Sequence, residues 1–304
     1  MGVPTRTGPV LGRVPAPALF VVSGLTQYLG AALAVGLFSV LAAPAVAWLR
    51  VAVAAVVLVA WRRPWRTRWS RRDLAGIAAF GVVLAAMNVT FYIAIEHLPL
   101  GTAVAIEFVG PVAVAAITGR GRRERVGIAL AGAGVLLLAG ATVTGGGPDV
   151  VVGLIAIGLA AACWAGYILL GRRIALRGSG VTSLSMAMTA GALAFAPFLG
   201  AAAAPVLHDG RLALAIVGIA VLSSVIPYAI EQVVLRRVSA ATFAVLLAML
   251  PATAAVVGAV TLRQVPAPID LVGLLAVSAA IALTAGSSTP GPSSGGSSSV
   301  DPAR

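Results

Sequence analysis

Apolar runs of about 18 to 24 residues recur along nearly the whole chain, each a length that spans the roughly 30 Å of bilayer hydrocarbon as an α-helix. Arginine, glycine or proline cuts each run from the next. The runs predict an all-α membrane protein of ten transmembrane helices, near residues 18–41, 44–61, 74–96, 100–119, 126–143, 150–171, 181–203, 212–235, 239–262 and 268–286. Residues 1–17 are read as a cytoplasmic N-terminal segment. The apolar stretch from Ala18 is too long for a signal peptide, so it is read as an uncleaved first helix. The Ser/Gly/Pro-rich tail 287–304 cannot build a core and is expected to be disordered and cytoplasmic.

Composition excludes the main alternatives. The chain is 60% hydrophobic and 10% charged, with a mean hydropathy of +1.04, so lipid must cover a surface that water could not. A net charge of +12 would draw a soluble protein to nucleic acid. Here every basic residue is arginine and sits in short clusters between apolar runs, so the partner is the lipid bilayer, and no nucleic acid is expected. Cys163 is the single cysteine, and His97 and His208 are far apart, so neither a disulfide nor a metal set is expected. Gly145, Gly146 and Gly147 form a turn rather than a phosphate loop, since they neither follow a strand nor lead to Lys-Ser. No cofactor and no enzymatic centre are expected, because no nucleophile with its base is placed at depth.

The arginines set the orientation. Alternate loops divide them unevenly: 18 of the 21 fall on one side, Arg211 and Arg263 on the other, and Arg50 inside a helix. The positive-inside rule makes the rich side cytoplasmic, with both termini there, in a bacterial cytoplasmic (inner) membrane. A shift of 140 residues lays Asn88 on Tyr228, Thr102 on Thr242, Pro111 on Pro251 and Ala115 on Ala255. The chain therefore reads as two repeats of five helices, 18–143 and 150–286. Five is odd, so the repeats run in opposite directions, and such inverted repeats hold a substrate between them near the midplane.

Ionisable groups at membrane depth cost roughly 2.5 to 3.5 kcal/mol and mark function by default. Arg50 and Glu107 lie roughly 9 to 10 Å from the outer helix ends, with Asn88 near the same level at about 12 Å. One reading makes this layer a site, with Glu107 taking an ammonium or a coupling proton and Arg50 a carboxylate. The other makes Arg50 and Glu107 an internal salt bridge. Glu231 and its neighbour Tyr228 lie nearer the cytoplasmic end, where Glu231 serves the site or pairs with Arg236. Gln27, Tyr28, Tyr92, Trp164 and Tyr167 are candidate cavity-lining residues. Pro111, Pro227 and Pro251 are candidate kinks or gates. Gly127, Ala131 and Gly134 form a small-residue stripe that serves either an intramolecular seam or a homodimer.

The run MNVTFYIAIEHLPLGTAVAIEFVGPVAVA from Met87 resembles the signature stretch of the EamA branch of the drug/metabolite transporter superfamily, threonine/homoserine exporter type. The likeness continues in SGLTQYLGAALAVGLF, in CWAGYILLGRR from Cys163 and in SSVIPYAIEQVVLRRVSAATFAVLLAMLPATAAV from Ser223. The resemblance implies ten helices in two inverted EamA repeats, and export of small amino acids in exchange for protons. It also lends weight to Arg50, Asn88, Glu107, Tyr228 and Glu231. Two rivals remain: an exporter of cationic drugs or another metabolite on the same scaffold, and a non-transporting membrane scaffold. The charge split makes its own prediction. A reporter fused after Ala285 is expected to be active only if it functions in the cytoplasm, and activity of a periplasmic reporter there would overturn the assigned orientation.

Overall fold

A computed structural model of the chain describes residues 14–118, 121–145, 147, 149–175, 180–227, 230, 234 and 246–285. The N-terminal residues 1–13, the tail 286–304, Tyr228, Glu231 and Thr242 lie outside them. All regular structure among the described residues is helical: α1 Ala16–Leu37, α2 Ala43–Arg62, α3 Arg71–His97, α4 Leu100–Glu107, α5 Val109–Thr118, α6 Arg122–Gly145, α7 Asp149–Ala175, α8 Gly180–Leu199, α9 Pro205–His208, α10 Gly210–Ala220, α11 Leu250–Thr261 and α12 Pro268–Ala285. Six helices are long and apolar enough to cross a bilayer. A seventh is obtained if Ala201–His208 and Gly210–Val225, which meet at 113°, form one span. Leu100–Val114, Leu250–Thr261 and Pro268–Thr284 are shorter apolar helices.

Two segments depart from their expected form. The fourth run is not one uninterrupted helix but α4 and α5, broken at Phe108. Pro111 lacks an N–H for the carbonyl four residues back, which belongs to Glu107, and its ring crowds that carbonyl. The seventh helix ends at Leu199 rather than 203, and short turns carry the chain into α10. Elsewhere local chemistry starts and stops the helices as their sequences require. At the start of α3, the Ser70 hydroxyl accepts from the Asp73 N–H, and the Asp73 carboxylate accepts from the Ser70 N–H, both at 3.2 Å. Leu98 and Pro99 separate α3 from α4, and the Leu100 N–H at the start of α4 donates to the Gln264 side-chain oxygen at 2.9 Å.

Small residues set the helix spacing. α3 packs along α7 and α8, α2 along α8, α6 along α12, and α4 against α11. At the α3–α8 crossing, a Cβ on Gly81 would run into the Ala187 carbonyl, and one on Gly191 into the Gly81 carbonyl. The Trp48 indole N–H on α2 donates to the Ala192 carbonyl at 2.7 Å, which ties a third helix to this crossing. The glycines of the α6 stripe meet α12: a Cβ on Gly134 would lie 2.8 Å from the Gly273 carbonyl oxygen and 2.8 Å from Val277. The stripe is thus an intramolecular seam. Leu193, Phe198, Leu275 and Val260 stay exposed on the outside, as lipid-facing side chains should.

Hydroxyls inside the helices follow the same rule of internal satisfaction. Thr90, Thr142, Thr189, Thr261 and Thr284 each donate to the carbonyl four residues earlier, at 2.6 to 2.9 Å.

Gly81→Ala is expected to cost about 1 to 3 kcal/mol by overpacking the crossing. Gly132→Ala, whose Cβ would meet nothing within 4 Å, is its control. Thermal denaturation in detergent should show a lowered midpoint for the first substitution only.

Candidate functional site

Three prolines mark the centre of the bundle. Pro111 and Pro227 each withdraw a backbone donor from the residue four positions earlier, Glu107 and Ser223, and Pro251 stands in the first turn of α11, four residues after Leu247, where a missing N–H costs no helix bond. Glu107 closes α4, Ser223 sits in the π-helical turn Val221–Val225 that continues α10, and Leu247 precedes α11. Glu107, Ser223 and Leu247 all line one cavity of about 200 Å³, with Pro227 beside them. Helix interruptions at membrane depth are tolerated where they border a cavity, as at Glu107 and Ser223, whereas Pro197 inside α8 follows the exposed Leu193 by four residues.

The polar lining comes from several helices. Gln27 and Tyr28 stand on α1, Arg50 on α2, Asn88 on α3, Glu107 on α4, and Trp164 and Tyr167 on α7. Asn88 is 8% exposed and spends an amide hydrogen on the Leu84 carbonyl at 2.7 Å, which holds the side chain in place. Its carbonyl oxygen can still accept. The aromatic walls are braced from behind. Phe108, the residue at the helix break, meets Trp164 edge-on at 4.6 Å between centroids, and Phe80 stacks on Tyr167 at 4.7 Å.

Arg50 and Glu107 share the cavity and interact electrostatically, yet among the described residues no ion pair joins them. The internal salt bridge anticipated as one reading is therefore not formed in this conformation. Instead the Arg50 guanidinium carbon lies 5.0 Å from the centroid of the Tyr92 ring, and its Nε has no hydrogen-bond partner. A cation over an aromatic face keeps an electrostatic partner without giving up its N–H groups. The guanidinium edge is thus left available.

The structure brings together Gln27, Tyr28, Arg50, Asn88, Glu107, Trp164, Tyr167 and Pro227 from the sequence candidates. Tyr92 is corrected: it does not line the cavity but is fully buried as the platform for Arg50, with Phe38 tilted against it at 6.1 Å. Pro111 and Pro251 are not in the wall: Pro111 acts through the backbone it interrupts, and Pro251 opens α11. Tyr228 and Glu231 lie outside the described residues. Sequence reading missed Met87, Phe91, Met188, Ser223, Ser224, Leu247 and Leu250, which also line the cavity. Counting four residues back from Pro227 and Pro251 would have found Ser223 and Leu247, although the same count from Pro197 leads to the exposed Leu193. A second, wider recess of about 740 Å³ near the start of α4 holds His97, Thr102 and Asp270, but among the described residues no arginine lines it, and Asp270 is engaged with the Ala267 N–H at 2.9 Å.

Comparison with known proteins places these residues in a wider set. A family model described as the EamA-like transporter family matches residues 151–286. The chain is 35% identical over 251 residues to the threonine/homoserine exporter RhtA of Salmonella typhimurium (strain SL1344), and 36% identical over 251 residues to that of Escherichia coli (strain K12). Each match covers 83% of this chain and 84% of the relative. A protein of known crystal structure, 19% identical, superposes with a TM-score of 0.53 over 88% of this chain and 96% of its own, and shares the fold.

The Tyr92 platform yields a differential prediction. Its hydroxyl is buried without a partner, so Tyr92→Phe is expected to leave stability unchanged or raise it by up to about 1 kcal/mol. Tyr92→Leu removes the face under Arg50 and is expected to cost about 2 kcal/mol or more. Equal loss in both variants, measured by thermal denaturation in detergent, would overturn the platform role.

Proposed function

The chain belongs to the EamA-like transporter family, and on that premise we propose that it exports small amino acids such as threonine and homoserine by proton-coupled secondary transport. It is a multi-pass membrane transporter and not an enzyme. The observation that carries the substrate reading is the pair of opposite charges left facing one small cavity without closing on each other. A zwitterion answers both: its carboxylate meets the Arg50 guanidinium and its ammonium meets Glu107. Asn88 adds an acceptor beside them.

Size separates this reading from its rival on the same scaffold. Clefts for drug-sized ligands run to about 300–1,000 Å³. A cavity of about 200 Å³ suits a metabolite of few heavy atoms better than a bulky cationic drug. Names carried by relatives at 35 to 36% identity point the same way. Both are threonine/homoserine exporters.

Coupling follows from competition. Glu107 is the one carboxylate on the wall among the described residues. A proton and a substrate ammonium would contend for it, which makes their passage in opposite directions mutually exclusive at the site. In this proposal the membrane is crossed ten times, in two inverted five-helix repeats spanning 18–143 and 150–286, with both termini in the cytoplasm of a bacterial cell. The two repeats then rock about the cavity to open it alternately to each side. Tyr228 and Glu231 enter by the repeat and by sequence, with Glu231 as a second candidate for the coupling proton. The three long helices α3, α6 and α7, the Arg distribution and the 140-residue shift support this arrangement.

Metabolite profiling of an overexpressing strain tests the assignment. External threonine and homoserine are expected to rise with the native protein and to fall at least about tenfold with Glu107→Gln, the loss of one charge-assisted contact of about 1.5–3 kcal/mol. In reconstituted vesicles, a proton gradient that moves a cationic dye but neither amino acid would favour the drug exporter instead.

A further inference from the structure

The two halves of the chain bring different chemistry to the cavity. The first supplies Arg50, Asn88 and Glu107, the groups that answer an amino acid's own charges. The second supplies no charged group among the described residues, but Ser223 and Ser224, the aromatic Trp164 and Tyr167, and the apolar Leu247, Leu250 and Met188. A hydroxyl on that lining has no task in binding a zwitterion's two charges.

Its position is built by the backbone. α10 widens at Val221–Val225 into a single π turn, closed by the Ile226 N–H donating to the Val221 carbonyl. Pro227 has no N–H to give the Ser223 carbonyl, and a widened turn is one way a helix absorbs such a gap. The turn is pinned from the other side. A Cβ on Gly30 of α1 would stand 2.8 Å from the Ser223 Cβ and 3.0 Å from its backbone nitrogen, so only glycine lets α1 press so closely against it.

The two serines of the turn then behave differently. Ser223 donates its hydroxyl to the Ile219 carbonyl at 2.6 Å, as threonines elsewhere in these helices do. Ser224 is only 3% exposed and lines the cavity, yet its hydroxyl makes no hydrogen bond among the described residues. Its hydroxyl is open to the cavity rather than spent on the helix, and a ligand there can complete it.

We propose that Ser224 is the subsite that recognises a side-chain hydroxyl on the transported amino acid. With the substrate's charges held by Arg50 and Glu107, Ser224 exchanges a hydrogen bond with the hydroxyl, while Leu247, Leu250 and Met188 pack against the substrate's carbon atoms. The inference rests on the amino-acid reading of the cavity. It makes selection one of presence against absence: a site built to bond a hydroxyl disfavours the isostere that lacks it, because its own polar group then stays unpaired.

Efflux of threonine and of 2-aminobutyrate, which carries a methylene where threonine carries its hydroxylated carbon, tests this in reconstituted vesicles. The native protein is expected to favour threonine at least about tenfold in transport efficiency. Ser224→Ala is expected to bring the two within about threefold, chiefly by slowing threonine, while Ser224→Thr, which keeps a hydroxyl, retains a preference. If the native protein moves both but Ser224→Ala leaves their ratio unchanged, the subsite is wrong and the amino-acid reading stands. If the native protein moves neither, that reading falls and the subsite with it.

Discussion

Hydrocarbon offers no water to a backbone carbonyl that has lost its donor, so a helix in a membrane interrupts its ladder only where something else can accept the cost. This chain withdraws donors with Pro111 and Pro227 and starts α11 with Pro251, and the residues four positions before them, Glu107, Ser223 and Leu247, converge on one cavity. The first ends α4 at Glu107 and sets Phe108 against Trp164. The second widens α10 and turns Ser224 inward. A bundle of unbroken helices would have closed this space with packed side chains.

The close approach of the helices makes so small a cavity workable. Gly81 and Gly191 let α3 and α8 touch backbone to backbone, and Gly30 lets α1 reach the π turn. Without a hydrophobic force between helices in lipid, such contacts hold the bundle through dispersion and shape. Arg50 gains from this. Its platform, Tyr92, is fully buried, so the guanidinium is held by a ring face while its hydrogen-bonding edge is not consumed by protein.

Much of this is legible in the order of the residues alone. Hydrophobic length and arginine placement announce a multi-pass membrane protein, because the bilayer's thickness and the charge rule act on each segment separately. Arg50, Asn88 and Glu107 stand out for a similar reason: a polar group in an apolar run is conspicuous by itself. Tyr92 is harder. An aromatic residue near such a layer can face the cavity or support a group that does, and only the packing of α2 on α3 distinguishes the two. Met188, Leu247 and Leu250 are invisible for the opposite reason, since apolar residues that line a cavity look like those that face lipid.

The sequence by itself determined that this chain lives in a membrane, which residues are costly there, and which helices prolines would break. Those properties belong to single segments and to the energy of placing them in hydrocarbon. Only the tertiary structure decided that Glu107, Ser223 and Leu247 meet at one cavity, that Arg50 rests on Tyr92 rather than on Glu107, and that Ser224 rather than Ser223 keeps its hydroxyl unspent. Each of these depends on contacts between residues distant in the chain, set by glycine crossings whose partners a linear reading cannot pair.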